Sequence, residues 1–300
     1  MIRFVHLSDI HVFHADAAWK PRDYLTKRLT GFFNQKYLPR GKQFREAVEV
    51  LKRLVDDLYS RHPDMILFSG DATTLGVEEE FAIAAEILRV GAKDAPPGIA
   101  VPGNHDYYTR QSFDAGLFEK YFAPWLQGDR VDENTYPFGR KAGPFYILGV
   151  NSSQPRRWWW DSSGMVGLPQ LNRLKQLLQH PEAMGMPKIL LTHYPVALSD
   201  GKPERRHRRL KDLTALLEVI KTHRVGLWLH GHRHQPYHVK PELHHPLQAL
   251  CVGSGTQESM WTYAEYVFDG KKLHIEHRAY QPHPKRFEKV KNLILPHEIH

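Results

Sequence analysis

Five short segments of this 300-residue chain carry side chains of the types that can bind divalent metal ions. They are Asp9-Ile10-His11, Gly70-Asp71, Gly103-Asn104-His105-Asp106, His193 and Gly231-His232-Arg233-His234. Carboxylate oxygens, imidazole nitrogens and an amide carbonyl suit Mn²⁺, with Fe, Zn²⁺ and Mg²⁺ as alternatives. In an extended chain residues i and i+2 point to one side, so Asp9 and His11 can converge on one ion, and the same spacing relates His232 to His234. The set is rich enough for two ions if one carboxylate is shared. Asp71, a lone carboxylate on a Gly-preceded loop, is the natural bridge. The chain has twenty histidines, and a single one near a strand end is ordinarily solvated or bonded within a core. His6, His14, His62, His180, His207, His223, His238, His244, His245 and the C-terminal histidines are read that way; His230 lies closer to the set, but only His232 and His234 have the right order after Gly231. Ordered recurrence at five strand ends lifts the set above chance.

Strands must deliver these residues, and the apolar runs supply them. Ile2 to Ser8 ends at Asp9, Met65 to Phe68 at Ser69-Gly70-Asp71, and Ile99 to Val101 at Pro102-Gly103-Asn104. Phe145 to Val150, Lys188 to His193, Val225 to Leu229 and Leu247 to Val252 have the same buried character. Between them, Phe44 to Tyr59, Glu78 to Val90, Gln170 to Leu178 and Leu210 to Ile220 repeat apolar residues at helical spacing. Asp269-Gly270 between Tyr263–Phe268 and Leu273–His277 signals a hairpin. Alternating strands and helices with a β-rich end predict an α/β fold with a mixed sheet or two packed sheets, ligands lying beyond the strands' carboxyl ends. Residues 1–280 read as one domain. Residues 281–300 read as a tail, either a docked helix or loosely ordered.

Composition narrows the classes. One cysteine, Cys251, excludes an intramolecular disulfide framework and a thiolate metal cluster. The opening Met1-Ile2-Arg3-Phe4 is too short and interrupted for a signal peptide, and no apolar run reaches the ~20 residues of a membrane helix. A cytoplasmic protein is expected, with a formal charge of +8 that favours anionic partners. Gly-x-x-x-x-Gly-Lys and Gly-x-Gly-x-x-Gly loops are absent, against kinase or dinucleotide chemistry.

The five segments resemble the signature blocks of the calcineurin-like metallophosphoesterases, spanning residues 9 to 234 with every ligand position filled. The resemblance implies a four-layer α/β/β/α sandwich with two mixed sheets and a dinuclear site at one edge. It implies that Asp9, His11, Asp71 and His234 hold one metal, and that Asp71, Asn104, His193 and His232 hold the other. His105 matches the family's catalytic histidine and Asp106 its neighbour. The expected reaction is hydrolysis of a phosphodiester or pyrophosphate by metal-activated hydroxide, with His105 protonating the leaving oxygen. Asp106 would orient that imidazole, unless it only caps its loop.

Substrate choice falls to the residues between the blocks. Residues 12–43 carry seven Lys or Arg against two Asp, and Leu25, Leu29, Phe32 and Phe33 fall on one helical face. This stretch is expected to form a cationic, partly helical lid, with Arg28, Phe32 and Phe33 as substrate contacts. Arg156-Arg157-Trp158-Trp159-Trp160 and the run Arg205 to Lys211 extend the basic, aromatic rim, with Arg156 and Arg157 as further contacts. Such a rim suits an amphiphilic phosphate and peripheral attachment to the inner face of a membrane. The segment Lys27 to Asn34 is similar to one in metallophosphoesterases acting on UDP-2,3-diacylglucosamine. A cyclic or other soluble nucleotide diester ranks second, a nuclease or a non-catalytic scaffold lower. Too little chain follows His234 for a substantial DNA-binding region, so no obligate nucleic-acid partner is expected.

Overall fold

The computed structural model describes residues 1–158, 160–241 and 247–296. Its first half runs β1 (Ile2–Leu7), a 3-10 turn (Pro21–Leu25), α1 (Lys27–Tyr37), α2 (Pro39–Lys42), α3 (Ala47–Ser60), β2 (Met65–Phe68), α4 (Glu78–Ile87), β3 (Gly98–Ala100), α5 (Arg110–Asp114) and α6 (Leu117–Phe122). Then follow β4 (Phe138–Ala142), β5 (Phe145–Gly149), α7 (Leu168–Leu177), β6 (Lys188–Leu191), α8 (Leu213–Thr222), β7 (Val225–His230), β8 (Tyr237–Val239), β9 (Gln248–Cys251), β10 (Thr262–Phe268), β11 (Lys272–Gln281) and β12 (Arg286–Pro296).

Two six-stranded mixed sheets result, in the orders β12-β11-β10-β1-β2-β3 and β4-β5-β6-β7-β9-β8. Strands β1, β2 and β3 are mutually parallel, as are β5, β6, β7 and β9. Parallel strands must be covered on both faces, which is why Met65 to Phe68 and Val225 to His230 are buried throughout. One apolar cluster joins the buried stripe of α3 (Val50, Leu51, Leu54, Leu58) to the first sheet and on to the facing side of the second. Phe145 of the second sheet meets Phe4 and Phe268 of the first edge-on, at 6.2 and 5.1 Å. A separate cluster packs Leu171, Leu174, Leu216 and Ile220 of α7 and α8 on the second sheet's outer face. The layers are therefore helix, sheet, sheet, helix. Among the described residues no helix is long and apolar enough to cross a membrane.

Two sequence expectations change here. Residues 286–296 are neither helix nor tail: they pair antiparallel with β11 over its whole length and bury Phe287 and Leu295. Phe287, Val290 and Leu293-Ile294-Leu295 stand among Arg286, Lys289 and Lys291 without the regular alternation that marks a strand, so the basic count dominates the sequence there. The helical face proposed for Leu25, Leu29, Phe32 and Phe33 is also broken. The 3-10 turn stops at Leu25, and Thr26 caps a new helix by accepting from the Arg28 N–H at 3.2 Å. Leu25 is 91 % exposed and Phe33 51 %, while Phe32 packs among Phe13, Trp19 and Phe33.

Arg28 is the anchor of this segment. It is buried, paired with Asp23 at 2.6 Å, and donates to the carbonyls of Leu75 and Gly76 and to Ser112 Oγ. It is a fastener between α1 and the β2–α4 loop, not a substrate contact. Removing one member of a buried pair strands the other, so Arg28→Ala should cost roughly 3–5 kcal/mol. Phe33→Ser should cost only about 0.5 kcal/mol, the usual surface value. Chemical denaturation of both variants checks this; equal losses would mean that α1 is held by its aromatic side instead.

Acid stability follows from buried histidines. Burial pulls His6 down to about 3 and His230 and His277 to about 4. The unfolded chain binds those protons near ~6.5, so unfolding takes up protons as pH falls, and stability is lost below ~6.5. Each imidazole contributes about 1.4 kcal/mol per pH unit across the window down to its folded value. Melting temperature of chelator-treated protein should fall steadily from pH 6.5 to 4.5; a flat profile would refute neutral burial.

Candidate metal centre

Aligned parallel strands in the two sheets bring their carboxyl ends to one edge, where the loops after β1, β2, β3, β6 and β7 meet. Asp9, His11, Asp71 and His234 place one ligand atom each within 4.8 Å of one another. His234 Nε2 lies 3.2 Å from Asp9 Oδ1 and 3.2 Å from His11 Nε2. A second group adjoins it: Asn104 Oδ1 is 3.2 Å from His193 Nε2 and 3.0 Å from His232 Nδ1. Asp71 Oδ2 sits between the groups, 3.6 Å from His11 Nε2 and 3.5 Å from His193 Nε2. All seven side chains named from the sequence converge, with Asp71 at the junction.

Six of the seven side chains are held by their other end. Asp9 Oδ2 accepts from the His232 N–H and Asp71 Oδ1 from the His105 N–H, at 3.0 and 2.7 Å. The Nδ1 atoms of His11 and His193 lie against the carbonyls of Thr73 and Ser69, and that of His234 against the Gln257 side-chain oxygen. His232 is reversed, with Nε2 against the Arg208 carbonyl and Nδ1 inward. An N–H pointing at a carbonyl fixes the tautomer and turns the ring's lone pair toward the cluster. Burial keeps His193 and His232 below the usual histidine range, so both are in the neutral, ligating form. Burial opposes ionisation of Asp9, yet His234, His11 and His193 outweigh it and hold the carboxyl well below its usual range.

This donor set fits two divalent ions. Asp9 Oδ1 is buried with no hydrogen-bond partner. Lone pairs of His11 and His234, and of His193, His232 and Asn104, face one another at 3.0 to 3.3 Å. Facing acceptors repel unless a cation lies between them. Two ligand atoms each about 2.1 Å from one ion at octahedral to tetrahedral angles are about 3.0–3.4 Å apart, as found.

Convergence is not achieved by the extended backbone expected. Asp9, His11, Asp71, His232 and His234 all have positive φ, between 41° and 69°. Such a conformation costs about 1–3 kcal/mol per residue and persists where surrounding bonds over-determine it. Two glycines permit the close approach of the loops: a Cβ on Gly103 would stand 2.0 Å from Asp71 Oδ1, and one on Gly231 1.9 Å from Ser8 Oγ. Gly103 thus serves packing of two loops, not a left-handed turn.

Asp106 takes the loop-capping alternative of its two expected roles. Its buried carboxylate accepts from the N–H groups of Asp71, Thr73 and Gly103 and from Thr73 Oγ1, binding the Asp71 loop to the Asn104 loop. Burial pushes its carboxyl up, to about 7, against those four donors, which favour the anion. The His105 ring is oriented by the Thr74 carbonyl, 2.7 Å from Nδ1, and by stacking on Tyr108. Asp106 is a loop tie.

A cavity of about 380 Å³ opens over the ligands. His105 and Arg156 line it, as expected; Arg157 lies outside it, and neither Phe32 nor Phe33 reaches it. What α1 presents is a polar stripe, Lys27, Thr30 and Asn34, spaced i, i+3 and i+7. Lys27 is one of seven cations in residues 12–43, and nothing in the sequence sets it apart from the others. Its ammonium lies 4.4 Å from the Tyr108 ring centre, and burial lowers it to about 8. Arg208, Tyr108, Trp160 and Asp161 complete the wall.

The fold and site together define a two-metal phosphoester hydrolase architecture. Residues 2–236 match the family model described as calcineurin-like phosphoesterase, and the chain belongs to that family of metal-dependent phosphoester hydrolases. No curated protein gives a significant sequence match. Among solved structures it is similar to a dimetal phosphatase of Danio rerio, with a TM-score of 0.68, 12% identity and 99% of both chains covered. A purple acid phosphatase of yellow lupin (Lupinus luteus) gives a TM-score of 0.62 at 13% identity, over 98% of this chain and 53% of that one. GAP50, the anchor in the inner membrane complex of Plasmodium, gives 0.53 at 13% identity, over 98% and 88%.

If Asp71 serves both ions, Asp71→Ala should lose more than one ion per chain as well as activity. Elemental analysis after exhaustive buffer exchange tests this, and retention of two ions would remove the bridging role.

Proposed function

We propose that this protein hydrolyses a phosphodiester or pyrophosphate bond of an amphiphilic substrate, such as UDP-2,3-diacylglucosamine, with two Mn²⁺ ions. The observation that carries the reading is the cationic wall over the ligands: Lys27, Arg156 and Arg208 line the same cavity as Asn104 and His105. Three fixed cations around a phosphate-sized centre favour a substrate with negative charge beyond the group that reacts. Two divalent ions held by Asp9, His11, Asp71, His234, Asn104, His193 and His232 would supply Lewis-acid polarisation of phosphoryl oxygens and lower the pKa of water.

The protein's own residues do the remainder. With Nδ1 held by the Thr74 carbonyl, His105 gives or takes a proton at Nε2, within the cavity that holds the leaving oxygen. Tyr108 stacks on its face and keeps the ring from swinging. Phe44 and Tyr194 pack edge-on or tilted against the His11, His193 and His232 rings, which excludes water from their flanks. Exposed Tyr24, Leu25, Phe33 and Tyr37 among Lys20, Arg22 and Lys36 give the outer face of residues 12–43 the composition of a peripheral membrane contact.

Trp160 on the cavity wall supports a second reading, a soluble nucleotide diester whose base stacks there. A scaffold role, as the anchor GAP50 illustrates for its own chain, has less support. Seven converging metal ligands and an oriented His105 are more than a docking surface requires. Assays of UDP-2,3-diacylglucosamine, cyclic AMP and single-stranded DNA with Mn²⁺ separate these readings; preference for cyclic AMP would replace the first with the second.

His105→Gln should leave metal content near wild type and lower kcat by about 10²–10⁴, the size of a lost general acid. The loss should shrink for nitrophenolate-type leaving groups, which need little protonation. An equal loss for all leaving groups would assign His105 to positioning.

A further inference from the structure

We propose that the groove formed by Leu25, Pro155 and Trp158 beside the metal cavity binds an aliphatic chain carried by the substrate. The inference rests on the phosphoester-hydrolase reading above and adds where, and with what chemistry, the non-reacting arm is held. The groove encloses about 580 Å³, the size of a small-molecule site. It shares Lys27, Tyr108 and Arg156 with the metal cavity, so the two lie side by side.

Its chemistry is mixed. Lys27 and Arg156, shared with the metal cavity, present cations that match a phosphate, and Arg110 and Arg157 also border the groove. Beside them Leu25 offers a side chain 91 % exposed and Trp158 one 51 % exposed. Leaving such apolar groups in water has a cost that an alkyl chain removes.

A flat aromatic ring suits the groove less well than a chain. Trp158 already stacks on Trp160, with centroids 5.0 Å apart and planes 14° apart, and the Arg157 guanidinium lies over its ring at 5.1 Å. A nucleobase stacking on Trp158 would have to displace one of these partners. A chain lying along Leu25, Pro155 and the indole edge displaces neither. Specificity for the arm is thus separate from the α1 aromatic group around Phe32, which is occupied by Phe13 and Trp19.

The test uses 4-nitrophenyl phosphodiesters with methyl to hexyl second esters, which stay monomeric in water, hydrolysed by the Mn²⁺-loaded protein. Each added methylene should raise kcat/KM by about twofold to fourfold, roughly 30-fold to 1,000-fold across the series. Calorimetric affinities for methyl- to hexylphosphonate should follow the same slope. In Leu25→Ser/Trp158→Ser the hexyl-to-methyl ratio should collapse to within a few fold of one. If the double variant fails to fold, Leu25→Ser alone reads the same ratio, because its side chain is almost wholly in water. No chain-length dependence in the wild type would overturn the groove while leaving the hydrolase reading intact. An unchanged slope in the variants, or a greater gain from a nucleoside ester than from hexyl, would overturn it too. Failure to hydrolyse any member would instead overturn the reading on which it rests.

Discussion

Seven Asp, Asn and His side chains drawn together at one edge, their ligating atoms 3.0 to 3.6 Å apart, are the constraint on which the site end of this molecule depends. Oxygen and nitrogen acceptors at 3.0 to 3.6 Å repel, and five of the seven residues also pay for left-handed backbone. The compensation is structural. Carbonyls of Thr73, Ser69 and Arg208 hold imidazole N–H groups, backbone N–H groups hold the rear oxygens of Asp9 and Asp71, and Asp106 binds two ligand loops through four hydrogen bonds. Two packed sheets with parallel strands supply the rigid edge on which such opposed groups can be fixed.

That division explains what could be read in advance. The ligands are visible because metal chemistry restricts each position to Asp, Asn or His, and apolar runs mark the strands that carry them. The order of apolar and polar residues likewise marks the sandwich's principal strands and helices. Three features were hidden by long-range geometry. Left-handed φ at Asp9 and His11 is set by loop contacts that spacing does not reveal, so the two side chains approach each other by a route other than strand alternation. Asp106 sits beside His105 in sequence, yet its partners are 3 to 35 residues away. Arg28 looks like a surface cation until the carbonyls of Leu75 and Gly76 surround it.

Residues 12–43 show the same limit from the other side. Helical periodicity identified an apolar stripe correctly enough to suggest a helix, but could not say which stripe would turn to the metals. Thr26 restarts the helix, Arg28 locks its first turn to the β2–α4 loop, and the rotation so fixed turns Lys27, Thr30 and Asn34 to the cavity. A pinned helix of this kind is a wall more than a lid. Its position is set by a buried ion pair and backbone acceptors, whereas its aromatic residues are spent on one another and on solvent.

Fixing the wall has a consequence for selectivity. A rigid ligand cradle recognises little beyond a phosphoryl group, which every substrate of such a centre shares. Beyond that cradle the cavity wall includes Lys27, Tyr108 and Arg156. These three residues come from α1, from the turn after His105 and from the loop after β5, three separate excursions from the sandwich. Arg156 donates to the Ser163 and Gly164 carbonyls, whereas Tyr108 stacks on His105, so the wall is joined to that imidazole at Tyr108. The cations of the wall and the converging Asp, Asn and His side chains are thus different residues on the same edge, tied together by one aromatic ring.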